Sequence, residues 1–116
     1  MPVKIKRIYE PYSGDDGYRV LIDRLWPRGI KKENPHIDKW LKEVAPSTEL
    51  RKEFNHMVDN WEQFKVAYHT ELKNSPVVDE LWDDIKKHGT VTLLYAARDE
   101  EHNHALVLQE FIKKAN

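Results

Sequence analysis

Three short stretches gather the side chains of this sequence that could do chemistry. Asp23, Arg24 and Arg28 close the run Tyr18-Arg19-Val20-Leu21-Ile22-Asp23-Arg24-Leu25-Trp26-Pro27-Arg28-Gly29. Arg98 and Asp99 follow a second apolar run, Val91-Thr92-Leu93-Leu94-Tyr95-Ala96-Ala97. Glu100-Glu101-His102-Asn103-His104 comes directly after. Guanidinium groups bind phosphate and carboxylate through paired N–H donors, and the free amides of a helix start add to that attraction. Imidazole titrates near neutrality and can serve as a general base when a carboxylate holds it. These residue types point to a site for a small anionic ligand of phosphate or nucleotide type. Arg24, Arg28 and Arg98 hold the anion, Asp23 orients an arginine or acts as base, and His104 transfers a proton. Asp23 and His104 are thus the catalytic candidates; Trp26, as a stacking platform or lid, joins Asp99 and Asn103 among the ligand-binding ones.

Each of these features has a structural reading as well. Adjacent Asp and Arg form salt bridges, an Asp caps turns and helices, and a loop tryptophan packs over the edge of a core. His102 and His104 do not read as a metal site, because residues two apart on a helix face different ways. His36, His56, His69 and His88 fall in or beside helices without matched partners. Ser13-Gly14-Asp15-Asp16-Gly17 is too short and too acidic for a phosphate loop, and the glycine-rich nucleotide, nucleophile-elbow and zinc-helix signatures are absent. No cofactor or metal is called for.

The elements that must position these residues are readable from periodicity. Val3 to Tyr9 alternates as a strand with one wetter face, near an edge. Residues 10–17 form a loop by their Pro, Gly and Asp content, and Tyr18 to Leu25 is a second, better buried strand. Pro35 opens a helix with Ile37, Trp40, Leu41 and Val44 on one side, stopped by Pro46. Ser47 caps a short helix with Leu50, Phe54 and Met57 inward, and Asp59 with Glu62 reads as a capping box. Trp61, Phe64, Tyr68 and Leu72 then form one stripe. Ser75 and Pro76 start the next helix, with Val78, Leu81, Trp82 and Ile85 inward, and Gly89 ends it. Strand 90–97 follows, and Ala105, Leu108, Phe111, Ile112 and Ala115 mark a last helix.

This order predicts an α/β fold, a small, mainly parallel sheet of about three strands covered by helices, within a single domain spanning 1–116. The short loop 10–17 favours antiparallel pairing of the first two strands, whereas the long helical span after residue 25 permits a parallel crossover. If strands 18–25 and 90–97 run parallel, the candidate residues meet at one edge of the sheet.

Composition narrows the function classes. With 19 basic and 20 acidic residues the net charge is −1, which argues against nucleic acid as a partner despite Lys31-Lys32. There is no cysteine, which excludes disulfides, thiolate catalysis and cysteine-ligated metals. The amino-terminal residues lack a signal-peptide core, and no stretch approaches the ~20 apolar residues that span a bilayer. A cytoplasmic protein without membrane association is expected; its protein partner, if it has one, is not specified.

Three stretches carry a resemblance: Asp16 to Gly29, Ala45-Pro-Ser-Thr-Glu-Leu-Arg-Lys52, and Leu93 to Leu108. The chain resembles the short, YeaO-like branch of domain-of-unknown-function family 488 over essentially its whole length. The resemblance supplies no established activity. It implies that Asp23, Arg24 and His104 match positions shared with longer members, which commonly place a cysteine before that histidine and an arginine after it. Here the neighbours are Asn103 and Ala105. A thiol role is therefore impossible. The longer members also carry a helix between the first two strands, which implies a parallel sheet, so the pairing of those strands stays open. The alternative to a small-anion site is a non-catalytic interaction or regulatory module, with an exposed apolar patch around Trp26 and Trp40.

Overall fold

The computed structural model describes residues 2–55 and 57–114; His56 and Ala115 lie outside the described residues. Strands β1 (Val3–Arg7), β2 (Tyr18–Leu21), β3 (Lys39–Trp40) and β4 (Val91–Tyr95) form one sheet in the order β1-β4-β2-β3. Every pairing is parallel. The fold is thus the expected α/β arrangement, with a fourth, two-residue strand added at the edge. β1 is the opposite edge, as its alternation of lysine with aliphatics indicated.

The first two strands do not pair with each other, because β4 lies between them. The short loop 10–17 therefore closes no antiparallel hairpin. The ten residues from Ile8 to Gly17 carry the chain back along a strand of about 16 Å and across two strand spacings of about 4.8 Å each, well within their reach.

One face of the sheet, carrying Val3, Val20, Ile22, Val91, Leu93 and Tyr95, packs in one core with helices α1 (Thr48–Phe54), α2 (Trp61–Lys73), α3 (Val77–His88) and α4 (His104–Lys114). Each long helix contributes a stripe at three- and four-residue spacing: Phe64, Tyr68 and Leu72; Val78, Leu81 and Ile85; Ala105, Leu108 and Ile112. The other face, with Leu21, Leu94 and the following Ile8, is closed by Trp26, Ile30 and Ile37 from loops and by Trp40 of β3 instead of a helix.

Four sequence expectations are corrected here. The helix expected from Pro35 is β3 followed by a 3₁₀ turn at Lys42–Val44. Ile37 and Trp40 serve the helix-free face, Leu41 and Val44 the helical one, so what reads as a single helical stripe is divided between two sides of the sheet. Strand 18–25 ends early, at Leu21, with one more ladder bond from Ile22 N–H to Leu94 O at 3.0 Å. Beyond it the Asp23 carboxylate takes the amide of Ala96 at 2.9 Å in place of a backbone acceptor. Asp59 lies in a 3₁₀ turn (Val58–Asn60) and caps nothing; the Asn60 amide closes the end of α1 by donating to Glu53 O at 3.0 Å. Met57, expected inside, is 53 % exposed because α1 has already ended.

Ser47 does cap α1. Its Oγ accepts from Leu50 N–H at 3.1 Å and donates to Glu71 Oε2 on α2 at 2.7 Å. Ser47→Ala is expected to destabilise the protein by about 1–2 kcal/mol, since it removes a cap and leaves Glu71 short of a donor. Urea denaturation checks this; an unchanged midpoint would mean that the cap does not hold α1 to α2.

Candidate functional site

Because β2 and β4 are parallel neighbours, their carboxyl ends share one edge, and a cleft of about 810 Å³ opens there. All eight residues singled out in the sequence line it. Asp23, Arg24, Trp26 and Arg28 come from the segment after β2, and Arg98, Asp99, Asn103 and His104 from the segment leading into α4. Sequence reasoning missed the third wall, where Ala45 and Pro46 precede α1 and Arg51, Lys52 and Phe54 project from it. Tyr9 and Leu25 line the cleft too. The signal for that wall lay in the stretch 45–52, which carries part of the family resemblance.

Most of the candidate side chains are engaged in holding the fold. Asp23 Oδ2 accepts from Ala96 N–H, while Oδ1 lies 2.9 Å from His104 Nε2. That nitrogen is hydrogen-bonded to the Ile22 carbonyl at 3.1 Å, and a carbonyl only accepts, so Nε2 carries a proton. The carboxylate contact then lies off the hydrogen-bond direction, leaving Oδ1 buried without a hydrogen bond of its own. Nε2 is a donor here and not a base. Arg24 donates Nε to Pro46 O at 3.2 Å and Nη2 to Ala45 O at 3.1 Å, tying the end of β2 to the start of α1.

Asp99 and Asn103 organise the entry to α4. Asp99 Oδ1 accepts from the N–H groups of Glu101 and His102 at 2.9 and 3.1 Å, and Oδ2 meets His102 Nδ1 at 2.9 Å. The Glu101 N–H is the largest influence on its pKa; with the His102 contacts it outweighs burial and holds the carboxyl below its ordinary range. Asn103, buried, accepts from Leu106 N–H at 3.1 Å and donates to Asp99 O at 2.9 Å, the geometry of a helix cap. Asn103→Ala is expected to cost about 1–2 kcal/mol of stability by thermal or urea unfolding. Unchanged stability would assign Asn103 to a ligand and not to α4.

Trp26 donates Nε1 to Ile30 O at 2.6 Å and packs edge-on against Trp40 at 5.2 Å. Trp40 in turn donates to Asp23 O at 2.7 Å. The two rings therefore belong to the small cluster on the helix-free face, not to an exposed patch. The His102 ring packs edge-on against Trp61 and the His104 ring turns toward β2, so the pair does not converge on one point. Among the described residues no Asp–Arg pair forms in the cleft. Arg28, Arg51, Lys52 and Arg98, all exposed, have neither an ion pair nor a side-chain hydrogen bond among the described residues.

Residues 2–116 match the family described as the "Inactive DUF488-N3 subclade". The chain is 45 % identical over 113 residues to the uncharacterized protein YeaO of Escherichia coli (strain K12), covering 97 % of this chain and 98 % of that one. It is 38 % identical over 110 residues to the uncharacterized protein Rv3073c of Mycobacterium tuberculosis (strain ATCC 25618 / H37Rv), covering 95 % and 92 %. The same figures hold for the uncharacterized protein Mb3100c of Mycobacterium bovis. No solved structure matches. The description of the subclade as inactive overturns the expectation of a small phosphate- or nucleotide-like ligand acted on by Asp23 and His104. The positions flanking His104 agree with it. Asn103 is buried as a cap and Ala105 is fully buried in the core, so neither presents a reactive or charged group to the cleft.

Proposed function

We propose that this chain, which belongs to the inactive DUF488-N3 subclade, works as a non-catalytic interaction module with the cleft as its docking face. The observation that carries this reading is the division of labour in the cleft. The groups suited to chemistry are tied into the fold: Asp23 to Ala96 and His104, Arg24 to two carbonyls, Asp99 and Asn103 to the start of α4. The groups suited to contact remain outside. Leu25 is 65 % exposed and Tyr9 45 % exposed beside the cleft, although both are large and apolar-bodied. Exposed apolar side chains gathered at a concave surface mark contact sites. In this reading Asp23 and His104 are positioning residues that hold α4 against the ends of β2 and β4. Among the described residues no helix is long and apolar enough to cross a membrane, and the reading invokes none.

The absence of turnover is testable without knowing a partner. Purified protein is incubated with a metabolite extract and compared by mass spectrometry with the Asp23→Asn/His104→Gln double variant. Neither should deplete any compound. A compound consumed by the wild type and spared by the double variant would overturn the non-catalytic reading.

A further inference from the structure

Resting on that reading, we infer that the cleft receives an acidic polypeptide segment that carries an apolar side chain. The arginines make the first argument. Of the six in the sequence, Arg7, Arg19 and Arg24 are bonded: Arg7 to the carbonyls of Ala97 and Ala96, Arg19 to Asp16, and Arg24 to those of Pro46 and Ala45. The remaining three, Arg28, Arg51 and Arg98, have no side-chain bond among the described residues, and all three are exposed and line this one cleft. They come from three different segments, so only the fold brings them together. Lys52 adds a fourth exposed cation. On a chain of net charge −1 this is a local surplus, since among the described residues the cleft holds two carboxylates, Asp23 and Asp99, both engaged internally. Arginine forks match carboxylates in two-point geometry.

The apolar part of the occupant follows from the walls. Ala45, Pro46, Ala96 and Ala97 offer no charged side chain, and Leu25 stands exposed beside them. A segment with one large apolar residue among acidic ones would bury that residue there while its carboxylates reach the arginines.

A polyphosphate or nucleic acid strand fits less well. Asp99, with its side chain 40 % exposed, repels a densely charged chain but can accept N–H donors from a peptide backbone. Of the aromatic rings in the walls, Phe54 and Phe64 are buried in the core and Trp26 is packed on Trp40, which leaves the half-exposed Tyr9 alone where a strand would stack successive bases.

The test is a selection of a random-peptide display library on the purified protein, followed by anisotropy titration of the enriched peptide labelled with fluorescein. The enriched sequences should be acidic with an apolar residue. Binding should weaken as salt rises, and by about tenfold or more in the Arg51→Glu/Arg98→Glu variant. Both side chains are exposed and unbonded, so that variant should keep the wild-type melting temperature. Neutral or basic sequences that bind in the cleft, shown by loss in Leu25→Ser, would overturn the acidic assignment and leave the interaction module standing. No enrichment at all would overturn the inference and count against the module. An oligonucleotide binding as tightly, with the same loss in the double variant, would overturn it in favour of nucleic acid.

Discussion

Replacing Asp16 with asparagine is expected to cost about 3–5 kcal/mol, because it leaves a buried arginine without its counter-charge. Asp16 and Arg19 are 5 % and 3 % exposed, and the carboxylate pairs with Arg19 and with Lys6 Nζ at 3.1 Å. It also accepts from Ser13 N–H at 3.2 Å, and the Asp16 carbonyl accepts from the Thr92 hydroxyl at 2.6 Å. This network pins the loop that returns the chain from β1 to β2 across the helix-free face of β4. Burial by itself raises the Asp16 pKa, but the bonds from Lys6 and Ser13 and the charges of Lys6 and Arg19 outweigh it, so the carboxyl lies below its ordinary value. A group whose pKa is lower folded than unfolded stabilises the fold above the unfolded value and loses that contribution as pH falls through the folded one. The stability gap between wild type and Asp16→Asn should therefore be largest near neutrality and shrink in acid. Urea midpoints measured from neutral pH downward check this; a gap independent of pH would mean the carboxylate is not charged in the folded protein.

The next residue gives the second large effect. Gly17 has φ +67°, and a Cβ added there would lie 2.3 Å from Thr90 O and 2.8 Å from Thr90 Cβ. Thr90 O is also the acceptor for Tyr18 N–H at 2.9 Å, the bond that starts β2 alongside β4. Gly17→Ala thus adds a clash to backbone strain and should cost at least about 3 kcal/mol. Gly29 separates the two terms: its φ is +77° but nothing lies within 4 Å of an added Cβ. Gly29→Ala should cost only about 1 kcal/mol. Equal losses in the two variants would show that the approach to Thr90 is not limiting.

The two positions also show where the sequence is legible. Asp and Gly in residues 10–17 mark a loop, yet nothing local says that Asp16 will meet Lys6 and Arg19, or that Gly17 will press on Thr90. Helices α2, α3 and α4 were readable because each buries one continuous stripe. The segment 35–44 was not, because its apolar residues serve both faces of a sheet whose edge they complete. The candidate site was legible as a gathering place: Asp23 and Arg24 follow one apolar run, Arg98 and Asp99 another, and a parallel pairing brings the ends of such runs together. What each side chain does there depends on partners far along the chain. Asp23 bonds Ala96, Arg24 bonds Ala45 and Pro46, and only the fold reveals that these contacts occupy the groups assigned to chemistry.

Site-specific photo-crosslinking shows whether a polypeptide partner is seated in the cleft. A photoreactive phenylalanine analogue is placed at position 25, beside the cleft, and separately at position 66, where Val66 on α2 is 70 % exposed outside it. Crosslinked segments from cell extract are then sequenced by mass spectrometry. One recurrent acidic segment is expected from position 25, absent from position 66 and lost when Arg51→Glu and Arg98→Glu are added. The same products from both positions, or none from position 25, would contradict it.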